Sequence, residues 1–137
     1  MITILRYSTD GGFTESNDPA GVAELPKDGQ YLWVDLQAPT PEEAEVLSHP
    51  LNFHPLAVED CWHEPQRSKV DDYGEYLFLV VHGVRYDAKK DEFKTHELNI
   101  FLGKSFLITF HTLHSRSIDA VKENVRRHPP LMARGMD

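Results

Sequence analysis

Lys94-Thr95-His96-Glu97-Leu98-Asn99-Ile100-Phe101-Leu102-Gly103-Lys104-Ser105-Phe106-Leu107-Ile108-Thr109-Phe110-His111-Thr112 holds two runs rich in aliphatic, aromatic and β-branched residues, Lys94 to Leu102 and Phe106 to Thr112. The Gly103-Lys104 break between them is too short for a crossover, so the two runs read as antiparallel neighbours. The same pattern extends upstream. Glu75 to Tyr86 is a third run, joined through the polar turn Asp87-Ala88-Lys89-Lys90-Asp91, and Arg67 to Tyr73 is a fourth. Further toward the N-terminus, Ile2-Thr3-Ile4-Leu5-Arg6-Tyr7 reads as a strand ended by the turn signal Asp10-Gly11-Gly12, and Tyr31-Leu32-Trp33-Val34-Asp35-Leu36 as a largely buried one. The Asp-, Pro- and Gly-rich stretch from Thr14 to Gly29 reads as a loop with one helical turn around Ala20 to Leu25.

Helix signals separate the early strands from the late ones. Thr40-Pro41-Glu42-Glu43 is a capping box with proline at the first helical position, which predicts a helix over 41–48 stopped by Pro50. His54-Pro55 opens a second helix, kept short by Pro65, whose ring would clash with the Cys61 carbonyl. Ser115 caps a third helix through His128, with Ile118, Val121 and Val125 as its apolar stripe and Arg116, Lys122, Arg126 and Arg127 outside, until Pro129-Pro130. The expected fold class is α/β of the α+β type: a mixed, largely antiparallel β-sheet with helices packed on it. The order of its strands is left open. A chain of 137 residues suits one domain over 1–137, burying about two-thirds of its unfolded surface.

Composition narrows the function. The net charge is −8, but residues 1–66 carry twelve acids against Arg6 and Lys27, while residues 67–137 carry twelve bases against ten acids. An acidic half of that kind repels phosphate backbones and attracts cations, which argues against a nucleic-acid partner. The single cysteine, Cys61, excludes an intrachain disulfide and any CxxC site, and points to a reducing compartment. The longest apolar runs, Tyr76 to Val81 and Phe106 to Phe110, fall far short of the ~20 residues of a membrane helix. Neither GxSxG, GxGxxG nor a P-loop is present, and no acid, base and nucleophile set converges, so an enzyme is not expected.

Ligand chemistry concentrates in Phe53-His54-Pro55-Leu56-Ala57-Val58-Glu59-Asp60-Cys61-Trp62-His63-Glu64. At about 100° per residue, Glu59, Asp60, His63 and Glu64 share an arc of roughly 140° with Leu56, while Ala57, Val58, Cys61 and Trp62 face elsewhere. Carboxylates are the hard ligands Mg²⁺ prefers, yet Glu59 and Asp60 point about 100° apart, so a second chain or segment has to complete a shell. Without one, this is a solvated polar face. The eight histidines raise zinc as a second possibility, through His111 with His114 or His54 with His63. Against it, Arg67 stands where an HExxH motif would need its second histidine, and His111 and His114 fall on opposite faces of a strand. Cys61 reads as a small core hydrophobe, and Arg126-Arg127-His128 with Arg134 as a solvated basic helix end.

These residues resemble a known family. Phe53-His54-Pro55-Leu56-Ala57-Val58-Glu59-Asp60, Pro65-Gln66-Arg67-Ser68-Lys69-Val70, Tyr73 and Tyr76 to Val81 are similar to the pattern of CorA metal-ion transporters. Trp33 to Leu36, Glu97 to Leu102 and Phe106 to Phe110 extend the likeness over most of the chain. The resemblance implies the N-terminal domain of such a transporter, on the cytoplasmic face of the cell membrane, its sheet sandwiched by helices. A stalk helix, two membrane helices and a Gly-Met-Asn pore loop would follow it. Gly135-Met136-Asp137 is given no pore role, having Asp for Asn and no membrane helix before it. It further implies a homopentamer in which Glu59 and Asp60 contribute to regulatory Mg²⁺ sites between subunits, completed by carboxylates of the stalk, with Co²⁺ as a further ion. In the isolated domain each site would be at best half formed. Rival readings are the soluble domain of a zinc-transporting member of the same superfamily and a stand-alone acidic module that binds a basic protein.

Overall fold

Alternation along each strand sorts the side chains to two faces, and each face carries a hydrophobic core. Seven strands form one sheet: β1 (Ile2–Ser8), β2 (Gly12–Ser16), β3 (Gln30–Gln37), β4 (Lys69–Asp72), β5 (Tyr76–Asp87), β6 (Glu92–Gly103) and β7 (Phe106–His111). Their order is β2-β1-β3-β7-β6-β5-β4, with every pairing antiparallel except β3 with β7. The sheet is therefore mixed and largely antiparallel, as the short joins between the last four strands require. Helices α1 (Pro41–Ala44), α2 (Pro55–Trp62), α3 (Arg116–Arg127) and α4 (Leu131–Arg134) complete the fold, with 3-10 turns at Pro19–Gly21 and Glu45–Leu47. This computed structural model describes residues 1–22, 24–63 and 66–134, apart from the side chains of Arg85 and Lys94. The predicted contributions of Ala23, Glu64, Pro65 and the Gly135-Met136-Asp137 tripeptide lie outside the described residues.

The larger core lies between one face of the sheet and the α1–α2 segment. Ile2, Ile4, Leu32, Val34, Leu36, Phe78, Phe101, Ile108 and Phe110 project from the strands against Leu47, Leu51, Phe53, Ala57 and Cys61. The opposite face is smaller, with Leu5 and Trp33 of the sheet packed under Ile118, Val125 and Met132. Gly103 is required where β6 turns into β7, since a Cβ there would lie 2.2 Å from the Phe106 ring.

The capping box forms as the sequence predicts. The Thr40 hydroxyl accepts the Glu43 amide at 3.1 Å, and Glu43 Oε1 accepts the Thr40 amide at 3.0 Å. Glu43 also accepts the Ile2 amide at 3.1 Å, tying α1 to the first strand. Its carboxyl is held below the ordinary value, first by the Thr40 amide, against the opposing pull of burial. Thr40→Ala is expected to cost about 1 kcal/mol, read as a lower urea midpoint with an unchanged slope.

The structure differs from expectation in four places. The stretch taken as loop from Thr14 begins inside β2, an edge strand whose polar sequence Gly-Phe-Thr-Glu-Ser carries little hydrophobic signal. The helix expected over 41–48 is α-helical only to Ala44 and then tightens to a 3-10 turn. The helix capped by Ser115 ends before Pro129-Pro130 as expected, but it is not the last, because Leu131–Arg134 form α4 beyond the prolines. The stripe of α3 is rotated: Ile118, Lys122 and Val125 are buried while Val121 is 50% exposed, so Lys122 faces inward instead of outward.

Candidate functional site

Helix α2 is short and is pinned at both ends. His54 caps it, Nδ1 accepting the Leu56 amide at 3.1 Å, and its own amide donates to the Tyr76 hydroxyl at 2.8 Å. Ala57 and Cys61 are buried against the sheet, and burial, together with the Asp60 charge, pushes the Cys61 thiol far up, so it is an inert core residue. Trp62 meets the Phe110 ring edge-on at 5.1 Å. At the far end Gln66 Nε2 donates to the Asp60 carbonyl, and Glu97 accepts the Gln66 amide.

The two predicted ligands stand in different surroundings. Glu59 is 62% exposed and meets the neighbouring His63 ring at 3.4 Å. Asp60 is one-third exposed and accepts Lys69 Nζ at 2.6 Å. Lys69 comes from β4 and also reaches Asp71 at 3.1 Å, and the Asp60 bond is the main cause that raises its pKa. Among the described residues, no group of three or more His, Cys, Asp or Glu side chains is arranged to hold a metal. The oxygens of Glu59 and Asp60 suit a hard cation, but the described residues supply at most part of a shell. The two carboxylates thus have separate partners, His63 for Glu59 and Lys69 for Asp60.

The histidines are dispersed. His82 of β5 bonds Ser68 Oγ at 2.8 Å through Nδ1 and approaches Glu97 at 3.3 Å, and His114 bonds Asp119. With His54 committed to a helix cap and His63 to Glu59, the pairs His54 with His63 and His111 with His114 are not joined at a common centre. The basic helix end is neutralised in part by Glu15, which Arg126 meets at 2.8 and 2.9 Å, linking α3 to β2. Below α2, Glu97 Oε2 and the Asn99 amide atoms Oδ1 and Nδ2 are, among the described residues, the buried side-chain polar atoms without a hydrogen-bond partner.

Sequence reasoning missed a buried ionic network on the opposite face. Asp35 of β3 accepts Lys122 Nζ at 2.6 Å on Oδ2, and the Thr109 hydroxyl at 2.6 Å and His111 Nε2 at 2.8 Å on Oδ1. Trp33 Nε1 donates to Thr109 at 3.1 Å. The other ring nitrogen of His111 lies 2.6 Å from the Leu113 carbonyl. Both neighbours of that ring are acceptors, so both nitrogens carry protons and the ring is an imidazolium. Burial alone would raise the Asp35 pKa, but the bonds from His111, Lys122 and Thr109 bring it below the ordinary value. Burial would likewise lower His111, and the bonds to Asp35 and Leu113 carry it upward. The signal was present in sequence as a lone carboxylate inside an apolar strand, but its partners are 74 to 87 residues away.

Residues 28–134 match the family model described as CorA-like Mg2+ transporter protein. This chain belongs to that CorA-like family. It is a family of transporters, not of enzymes. YfjQ of Bacillus subtilis (strain 168), assigned by name to metal ion transport, is 35% identical over 135 residues, covering 98% of the CorA-like chain and 40% of the relative. The cobalt/magnesium transport protein CorA of Thermotoga maritima is 30% identical over 74 residues, 54% of this chain and 21% of that protein. The soluble domain of CorA from Methanocaldococcus jannaschii shares the fold at a TM-score of 0.62 and 14% identity, over 90% of this chain and 46% of that one. The CorA-like chain thus spans well under two-thirds of the length of its relatives. Among its described residues no helix is long and apolar enough to cross a membrane.

Proposed function

We propose that this chain is the cation-responsive domain of a longer divalent-cation transporter, lying on the cytoplasmic face of the membrane and joined to a stalk and membrane region. Its ions are Mg²⁺ and Co²⁺. In a homopentamer, Glu59 and Asp60 face a neighbouring subunit, and Mg²⁺ held between subunits favours the closed pore. The observation that carries this reading is α2 itself: a helix fixed by its cap, its core face and Gln66, which presents two carboxylates that no third ligand among the described residues completes. Membership of the CorA-like family supplies the transport context.

The mechanism is population shift. A cation that binds only the closed arrangement lowers that state's free energy, and its loss leaves like charges facing each other across the interface. The dispersed histidines give the zinc reading no comparable centre. Asp60→Ala in the full-length transporter is expected to weaken Mg²⁺-dependent closure, raising the Mg²⁺ concentration for half closure roughly tenfold. Flux measured across Mg²⁺ concentrations checks it, and a curve superimposable on the parent's would remove Asp60 from the role.

A further inference from the structure

Lys69 has no obvious place in a purely acidic cation-sensing face. It sits on β4, the edge strand, on the same side as Asp71, and its ammonium lies 2.6 Å from Asp60 Oδ2, 3.1 Å from Asp71 Oδ2 and 5.6 Å from the Phe78 ring centroid. Two carboxylates and the negative face of an aromatic ring thus surround one positive charge. We infer that Lys69 is a tethered competitor for the Asp60 site, a built-in cation that a divalent ion must displace, and that it sets the concentration at which the domain responds. The inference rests on the reading of Asp60 as a cation ligand and adds how its threshold is fixed.

The chemistry of the lysine suits the role. Its ammonium is a compact point charge on a flexible four-carbon stem, and its side chain is 35% exposed, so a path to solvent is open when a stronger cation arrives. Asp60 and Asp71 are similarly accessible, at 32% and 40%, and departure of the ammonium would leave both carboxylates for a hydrated ion. A divalent ion gains about twice the Coulomb energy of a monovalent one at equal distance, so displacement favours divalent ions over the monovalent background. A plain alternative is that Lys69 only guards the edge strand against pairing with another chain. That alternative predicts association of a Lys69 variant and no change in ion affinity.

The test titrates Mn²⁺ into the full-length transporter, whose neighbouring subunits complete the shell, following paramagnetic broadening of the α2 amides, with Mg²⁺ as competitor. Lys69→Met is expected to tighten binding roughly five- to tenfold, whereas Lys69→Arg, which keeps the charge, gives no gain. Lys69→Gln is the soluble substitute should the apolar variant associate through its edge. Affinity unchanged or weakened in both neutral variants, while Asp60→Ala still abolishes broadening, would overturn the inference and leave Asp60 as a ligand. Broadening that survives Asp60→Ala in both the parent and the Lys69→Gln background would overturn the reading of Asp60 itself.

Discussion

Asp35→Asn should destabilise the protein by about 3–5 kcal/mol. The substitution keeps the side-chain shape but removes the negative charge that Lys122 and His111, exposed to 4% and 2%, both bond. Lys122 is then left buried without an anion and His111 loses the carboxylate that holds its second proton, the situation in which a buried ionic group costs most. The cost measures the broken network rather than the worth of the intact one. Chemical denaturation at neutral pH checks the magnitude, and a loss under 1 kcal/mol would mean that Lys122 escapes to solvent at little cost.

The same variant should also reverse the sign of a pH dependence. In the parent, the folded His111 pKa lies above the ordinary 6.5, so its stabilising contribution is complete below that value and is lost as pH rises through the folded pKa. Asp35 is shifted downward from 3.8, so its contribution is present above that value and is lost as pH falls through its own folded pKa. Without Asp35, burial, the largest cause, and the Lys122 charge lower His111 against the single remaining opposing bond, the one to the Leu113 carbonyl. The unfolded chain of the variant then binds more protons than the folded one, so its stability rises with pH near 6.5 where the parent's falls. Unfolding curves at pH 6 and 8 distinguish the two slopes.

The contrast between α2 and this network shows what local sequence can carry. The α2 helix and the site proposed on it are legible because their determinants are close together: His54-Pro55 starts the helix, Glu59 and Asp60 are adjacent, and a 100° divergence follows from helical geometry. The strand meander is legible for the same reason, since β4 to β7 pair in sequence order through short turns. Lys122 is not, because a lysine four residues after Ile118 and three before Val125 has the spacing of a core position but the composition of a surface one. Only Asp35, on a strand 87 residues earlier, explains why it turns inward. Lys69 is hidden likewise: β4 contributes a basic side chain to an acidic site on a different element, and neither segment alone announces the pairing.

Phe53→Ala is the second substitution with a large expected effect, about 3–5 kcal/mol. Phe53 is 4% exposed and stacks on Phe101 at 4.3 Å, meets Tyr76 edge-on at 4.8 Å and lies 5.8 Å from Phe106. Truncation removes a ring from the centre of the larger core and leaves a space that Phe101 and Tyr76, anchored on paired strands, fill poorly. The damage should be directed, because Tyr76 also accepts the His54 amide that begins α2. Hydrogen exchange of the amides over 54–62 is therefore expected to accelerate more than that of β3 or β7. Phe53→Leu, which restores much of the buried volume, should recover most of the stability and the slow exchange. Uniform acceleration across the sheet would show that Phe53 supports the whole core equally, whereas selective loosening of α2 would make this aromatic cluster the link from the fold to the placement of Asp60.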